Sequence, residues 1–176
     1  MEMDDLRNIF LYSEREKRVL ESFDIDTSYF IPFLFSLKNG GSWSYSTDTA
    51  SSVSVKKVTT VYDDKRKEGY TEEEIYLFID PEICKREGSV TRLEKCGRKD
   101  QRVAVKRPYH IEVTASRVFL ATVNPYNKKI IIRELMQNTV QFTGSPAYNM
   151  DHEMEHILQK GIKGIELWNF DFVTEK

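Results

Sequence analysis

At 176 residues, with 40% apolar and 12% aromatic side chains, the chain has material for one hydrophobic core and is short for two domains, so a single domain over 1–176 is expected. Its 26 basic and 28 acidic side chains leave a formal charge of -2, which argues against the broad positive field that binds nucleic acid or an anionic membrane. Two cysteines are too few for a disulfide scaffold, and no apolar run approaches the roughly 20 residues that cross a bilayer.

In chain order, the acidic N-terminus lacks the basic start and apolar run of a secretory signal, so a cytoplasmic protein is expected, with an organelle left open. Leu6, Ile9, Phe10, Val19 and Leu20 recur at a spacing that predicts an amphipathic helix over Asp4 to Phe23. The apolar segment Tyr29 to Leu37 stops at Asn39, Gly40 and Gly41, and the hydroxyl-rich stretch Ser42 to Ser54 reads as loop or irregular strand. Val53 to Val61 and Ile75 to Ile79 read as strands joined by a charged hairpin-like connection, Asp63 to Gly69. Further strands are predicted at Ser89 to Leu93, Arg102 to Val105, His110 to Thr114, Arg117 to Val123 and Lys129 to Leu135. Met150, Met154, Ile157 and Leu158 then predict a helix over Ala147 to Gln159, ended by Gly161. The expected class is therefore α+β, a mixed or antiparallel sheet packed around a central helix.

That last helix carries Asp151-His152-Glu153-Met154-Glu155-His156, an HExxH segment. Residues four apart on a helix project from one face, so both imidazoles can reach one metal ion, with Glu153 beside the open coordination position as acid/base. The plain alternative is a solvated, charged helix face. A third protein ligand is needed; Glu166 and Glu175 lie downstream and Cys96 upstream. A thiolate beside two imidazoles suits Fe(II), Ni(II), Co(II) or Zn(II). Cys84 and His110 have no such context, and are read as structural and as surface or strand-edge residues.

The runs FIDPEICKREGSVTRLEKC, QRVAVKRPYHIEV and MDHEMEHILQKGI, over residues 78–161, resemble peptide deformylase in order and spacing. The resemblance implies a metal site of Cys96, His152 and His156, Fe(II) as the cellular metal, Glu153 as acid/base, the Gly97 backbone N–H as oxyanion donor, and a structural Glu94 to Arg107 ion pair. It also implies a hydrolase removing the formyl group from N-formylmethionyl peptides, with a nascent chain near the ribosome as partner and no nucleic acid or membrane. The family's glycine-rich motif is degenerate: Ser52 stands where its glutamine belongs, Arg98 replaces a serine, and Asp151 and Glu155 make the metal surroundings more anionic. A deformylase-like binding protein, a metal amidase with another substrate and an ordinary zinc protease are the alternatives.

Overall fold

A computed structural model describes residues 14–96 and 100–175; the part of the predicted first helix before residue 14 lies outside them, as do Gly97 and Arg98. The chain opens with α1 (Glu14–Glu21) and a 3-10 turn (Thr27–Phe30) that runs into α2 (Ile31–Asn39). Asp26 starts the turn by accepting the Ser28 N–H at 2.8 Å, Pro32 occupies the first turn of α2, where a missing N–H costs nothing, and Gly40 closes the helix at φ 71°.

Eleven strands follow in the described residues: β1 (Trp43–Ser46), β2 (Ser51–Asp63), β3 (Glu68–Ile79), β4 (Glu82–Glu87), β5 (Val90–Glu94), β6 (Val103–Arg107), β7 (His110–Thr114), β8 (Arg117–Asn124), β9 (Lys129–Glu134), β10 (Thr139–Thr143) and β11 (Ile165–Glu166). Helix α3 (Ser145–Ile157) lies between β10 and β11. The strands form a five-stranded sheet ordered β1-β2-β3-β8-β9 and two three-stranded sheets, β10-β7-β4 and β11-β6-β5, with every pairing antiparallel.

Alternation along β2 and β3 gives the large sheet two covered faces. One face presents Ile75, Leu77, Ile79 and Phe119 to Leu20, Phe30, Phe33 and Leu34 of the N-terminal helices. Ser54 shares this face and bonds the buried Ser36 of α2 at 2.7 Å. The opposite face presents Val53, Val55, Phe78 and Val118 to Ile111, Val113, Val140 and Phe142 of the second sheet and to Ala147, Met150 and Met154 of α3. Among the described residues no helix is long and apolar enough to cross a membrane.

Three strands escape the sequence reading: β4, β10 and the two-residue β11, which pairs with β6. The charged edge strand β4 and the short β10 carry too few consecutive apolar residues to show a period, and pairing with β7 is what makes them strands. Helix α3 begins two residues before its predicted start and ends at Ile157; Gln159 at φ 54°, rather than Gly161, takes the left-handed position after it.

Phe119 is fully buried, with its ring 4.9 Å from Phe23 and 5.3 Å from Phe30. Phe119→Ala is expected to destabilise the fold by about 3–5 kcal/mol, read as a lower urea midpoint. A change below about 1 kcal/mol would mean that this face does not form a packed core.

Candidate functional site

Helix α3 sets one face against the large sheet and turns another toward the exit of β5 and the end of β6. Cys96 follows β5 by two residues, and its Sγ lies 3.4 Å from His156 Nε2. His156 Nε2 lies 3.0 Å from His152 Nε2. One donor atom from each of Cys96, His152 and His156 falls within 4.8 Å of the others, a spacing at which a single ion could be held. The structure thus brings these three sequence-predicted residues to one point.

Beneath them is a buried ionic knot. Arg107, 2% exposed, gives Nη2 to Glu94 at 2.8 Å and to Glu155 at 2.8 Å, and Nη1 to Asp151 at 3.0 Å. Arg86 binds the other Asp151 oxygen at 2.9 Å. Asp151 and Glu155, expected to make the surroundings of the imidazoles more anionic, are engaged by guanidinium groups.

His152 Nδ1 lies 2.9 Å from Glu94 Oε2. Arg107 Nη2 lies 3.3 Å from the same nitrogen, and a tautomer protonated on Nδ1 would donate to Glu94 and turn its Nε2 lone pair toward His156 and Cys96. Burial alone would raise the Glu94 carboxyl, but the hydrogen bonds from His152 and Arg107 and the arginine charge outweigh it and hold the group at about 2. Burial of His156, followed by the charge of His152, lowers its basicity.

Glu153 is 9% exposed and points from α3 to the large sheet, where the Ser44 hydroxyl donates to its Oε2 at 2.7 Å. Burial pushes its carboxyl up to about 7, against the opposing effects of the Ser44 bond and His152. The sequence reading missed Ser44, because a serine 109 positions away has no local signature.

Ser52, offered as a stand-in for an oxyanion-hole glutamine, does not meet Glu153. It pairs across the sheet with Ile79 on the face covered by the N-terminal helices, while Val53 and its partner Ser44 face α3. Its hydroxyl is buried and has no hydrogen-bond partner in the described structure. Gly97 lies outside the described residues. Glu166 accepts from Gln101 at 2.9 Å, away from the imidazoles. Cys84 is exposed beside Thr114 at 3.1 Å, and His110 sits at the start of β7 with Nδ1 2.7 Å from Thr143 Oγ1.

A second polar concavity lies at the β1–β2 connection. Asp48 and Asp80 both line a cavity of about 370 Å³, together with Thr47, Thr49, Ser51 and Gln159. Asp80 holds φ 48°, uncommon for a residue with a side chain, and a two-way clasp fixes it there: its N–H donates to Ser51 O at 2.8 Å and its Oδ1 accepts the Ser51 N–H at 3.0 Å.

The sequence model of the RimB-like family, described as retropepsin-like aspartic endopeptidase RimB, matches residues 12–134. The chain belongs to this family. The match runs from the N-terminal helices to the end of β9 and includes Asp48, Asp80, Glu94, Cys96 and Arg107; His152, Glu153 and His156 of α3 lie beyond it. No curated protein and no solved structure matches the chain.

Membership overturns the deformylase assignment, and with it the expected removal of formyl groups by a metal-dependent hydrolase. It also overturns the expected divalent metal cofactor, Fe(II) or its Zn(II), Ni(II) and Co(II) alternatives, because aspartic proteolysis is carried by carboxyl groups. The earlier resemblance rested on Glu94, Cys96, Arg107 and HExxH, a few residues in short runs. The family match spans more than half of the chain continuously. What membership establishes is a family of protease-like hydrolases.

The ionic knot has a definite pH signature. A carboxyl held at about 2 when folded and near 4.5 when unfolded adds stability that is fully present above about 4.5 and is lost as pH falls toward 2. Urea midpoints of the wild type should fall across that window, and those of Glu94→Gln should fall less steeply. Arg107→Ala, which leaves three carboxylates without their common partner, should cost about 3–5 kcal/mol at pH 7.

Proposed function

We propose that the chain hydrolyses peptide bonds by carboxyl-group acid/base chemistry of the aspartic type, with Asp48 and Asp80 as the reacting pair. The observation that carries this reading is the shared cavity: these two aspartates of the family-matched segment open into the same hydroxyl-lined space.

In such chemistry one carboxyl group acts as general base and the other as general acid on the scissile peptide. The ionised member takes a proton from water as its oxygen attacks the peptide carbonyl carbon. The protonated member gives its proton to the carbonyl oxygen. Collapse of the tetrahedral adduct breaks the C–N bond, with a proton delivered to the leaving nitrogen. The clasp between Asp80 and Ser51 fixes one member of the pair, and the short connection from Ser46 to Ser51 carries the other.

A second reading places the proton carrier at Glu153. It is favoured by the burial of that carboxyl, its single hydroxyl partner Ser44 and its proton affinity near neutrality. A group at about 7 exchanges its proton readily at working pH. Asp48 and Asp80 take precedence because they lie in the matched segment and have the residue type named in the family's description.

Hydrolysis of a mixed fluorogenic peptide pool separates the two. On the first reading Asp48→Asn and Asp80→Asn each lower the rate by about 10² or more, Glu153→Gln leaves it largely intact, and a strong chelator has no effect. Loss of activity in Glu153→Gln alone would transfer the chemistry to α3. Loss on chelation would sink the carboxyl-only mechanism.

A further inference from the structure

A cavity of about 510 Å³ lies between β6 and the segment that follows α3, and the groups around it include Lys106, Lys160, Lys163, Arg107, Glu155 and Gln159. Four of these are cationic and one is anionic, in a chain whose overall formal charge is -2. Glu155 belongs to a knot in which Arg86, Arg92 and Arg107 balance Glu94, Asp151 and Glu155, so the three lysines set the local field.

Five lysines elsewhere pair with glutamates, Lys17 with Glu14, Lys38 with Glu16, Lys56 with Glu73, Lys57 with Glu74 and Lys85 with Glu87, while Lys65, Lys67, Lys95, Lys128 and Lys129 neither line this cavity nor form an ion pair among the described residues. The three at the cavity have no ion-pair partner among the described residues. Three like charges held around one concavity repel one another, and an anion that enters relieves the repulsion.

We infer that this cavity binds a compact anion bearing two or more phosphate groups. Its volume suits a small molecule. A phosphate group can carry more than one negative charge and offers several acceptor oxygens, which matches clustered ammonium donors better than a single carboxylate does. The Gln159 amide adds a neutral donor at the rim. The shared chemistry is the linked phosphates, whether inorganic or on a small organic molecule.

Titration calorimetry on the full chain tests the inference with inorganic tripolyphosphate, a hexose bisphosphate and orthophosphate as probes. Tripolyphosphate should bind one site, more tightly than orthophosphate. The exposed triple change Lys106→Ala, Lys160→Ala, Lys163→Ala should weaken it by about tenfold or more, with the circular-dichroism spectrum unchanged. Lys128→Ala with Lys129→Ala, at the end of the β8–β9 turn and the start of β9, should leave it alone. Equal or tighter binding of the hexose bisphosphate would assign an organic ligand, and weaker binding an inorganic one. Absence of binding, an affinity unmoved by the triple change, or equally tight binding of a glutamate-rich peptide would overturn the inference. Because the readout is binding, peptidase activity has no bearing on it.

Discussion

The Arg107 guanidinium ties helix α3 to the β5–β6 hairpin, with which the helix shares no strand pairing. Glu94 comes from the end of β5, and Asp151 and Glu155 from two successive turns of α3. A charge this deeply buried is tolerated only when its donors are satisfied, and here several carboxylate contacts meet that demand. The knot therefore docks α3 against the β5–β6 hairpin at a fixed rotation. That rotation places the two imidazoles beside Cys96 and sends Glu153 toward Ser44 on the large sheet.

The large sheet separates two chemically distinct sides. Toward the N-terminal helices its centre is apolar, broken by the Ser36–Ser54 bond and the unpartnered Ser52 hydroxyl, and its margins carry the Lys56–Glu73 ion pair and Arg117, which donates to Phe23 O. Toward α3 it is apolar at Val53, Val55 and Phe78, but its β1 edge supplies Ser44, and the β1–β2 connection supplies Asp48. Two carboxyl centres thus lie close in space to one hairpin. Asp48 and Asp80 occupy an open, hydroxyl-lined space, while Glu153 sits behind that hairpin with its charge suppressed by burial. Gln159 borders both the aspartate cavity and the lysine-lined one, so the end of α3 is common to both.

Membership in an aspartic endopeptidase family changes how the α3 cluster is read. HExxH, a cysteine and an Arg–Glu pair appear together in the chain, and the structure does gather them. Gathering follows from packing: two histidines one turn apart always share a helix face, and a cysteine at a strand end must lie somewhere near the helix that covers it. Convergence of donor atoms is a geometric fact about the fold. The class of reaction belongs to the family match, which spans the sheet rather than the helix.

By itself the sequence determined features governed by near neighbours along the chain. The period of Met150, Met154 and Ile157 marked α3 and the charged run between two β-prone segments marked the β2–β3 hairpin, whereas the pairing of Glu94 with Arg107 was expected only through the overturned deformylase resemblance. Only the tertiary structure decided that Ser44 meets Glu153, that Ser52 faces the other way, that Asp151 and Glu155 join the arginine, and that Asp48 and Asp80 share a cavity. The arginine contacts and the shared cavity depend on how α3 and the inter-strand connections pack, and the placing of Ser44 and Ser52 depends on strand register. A strand side chain takes its face from register, one residue of slip reverses it, and register is set by pairings far apart in sequence that leave no periodic trace.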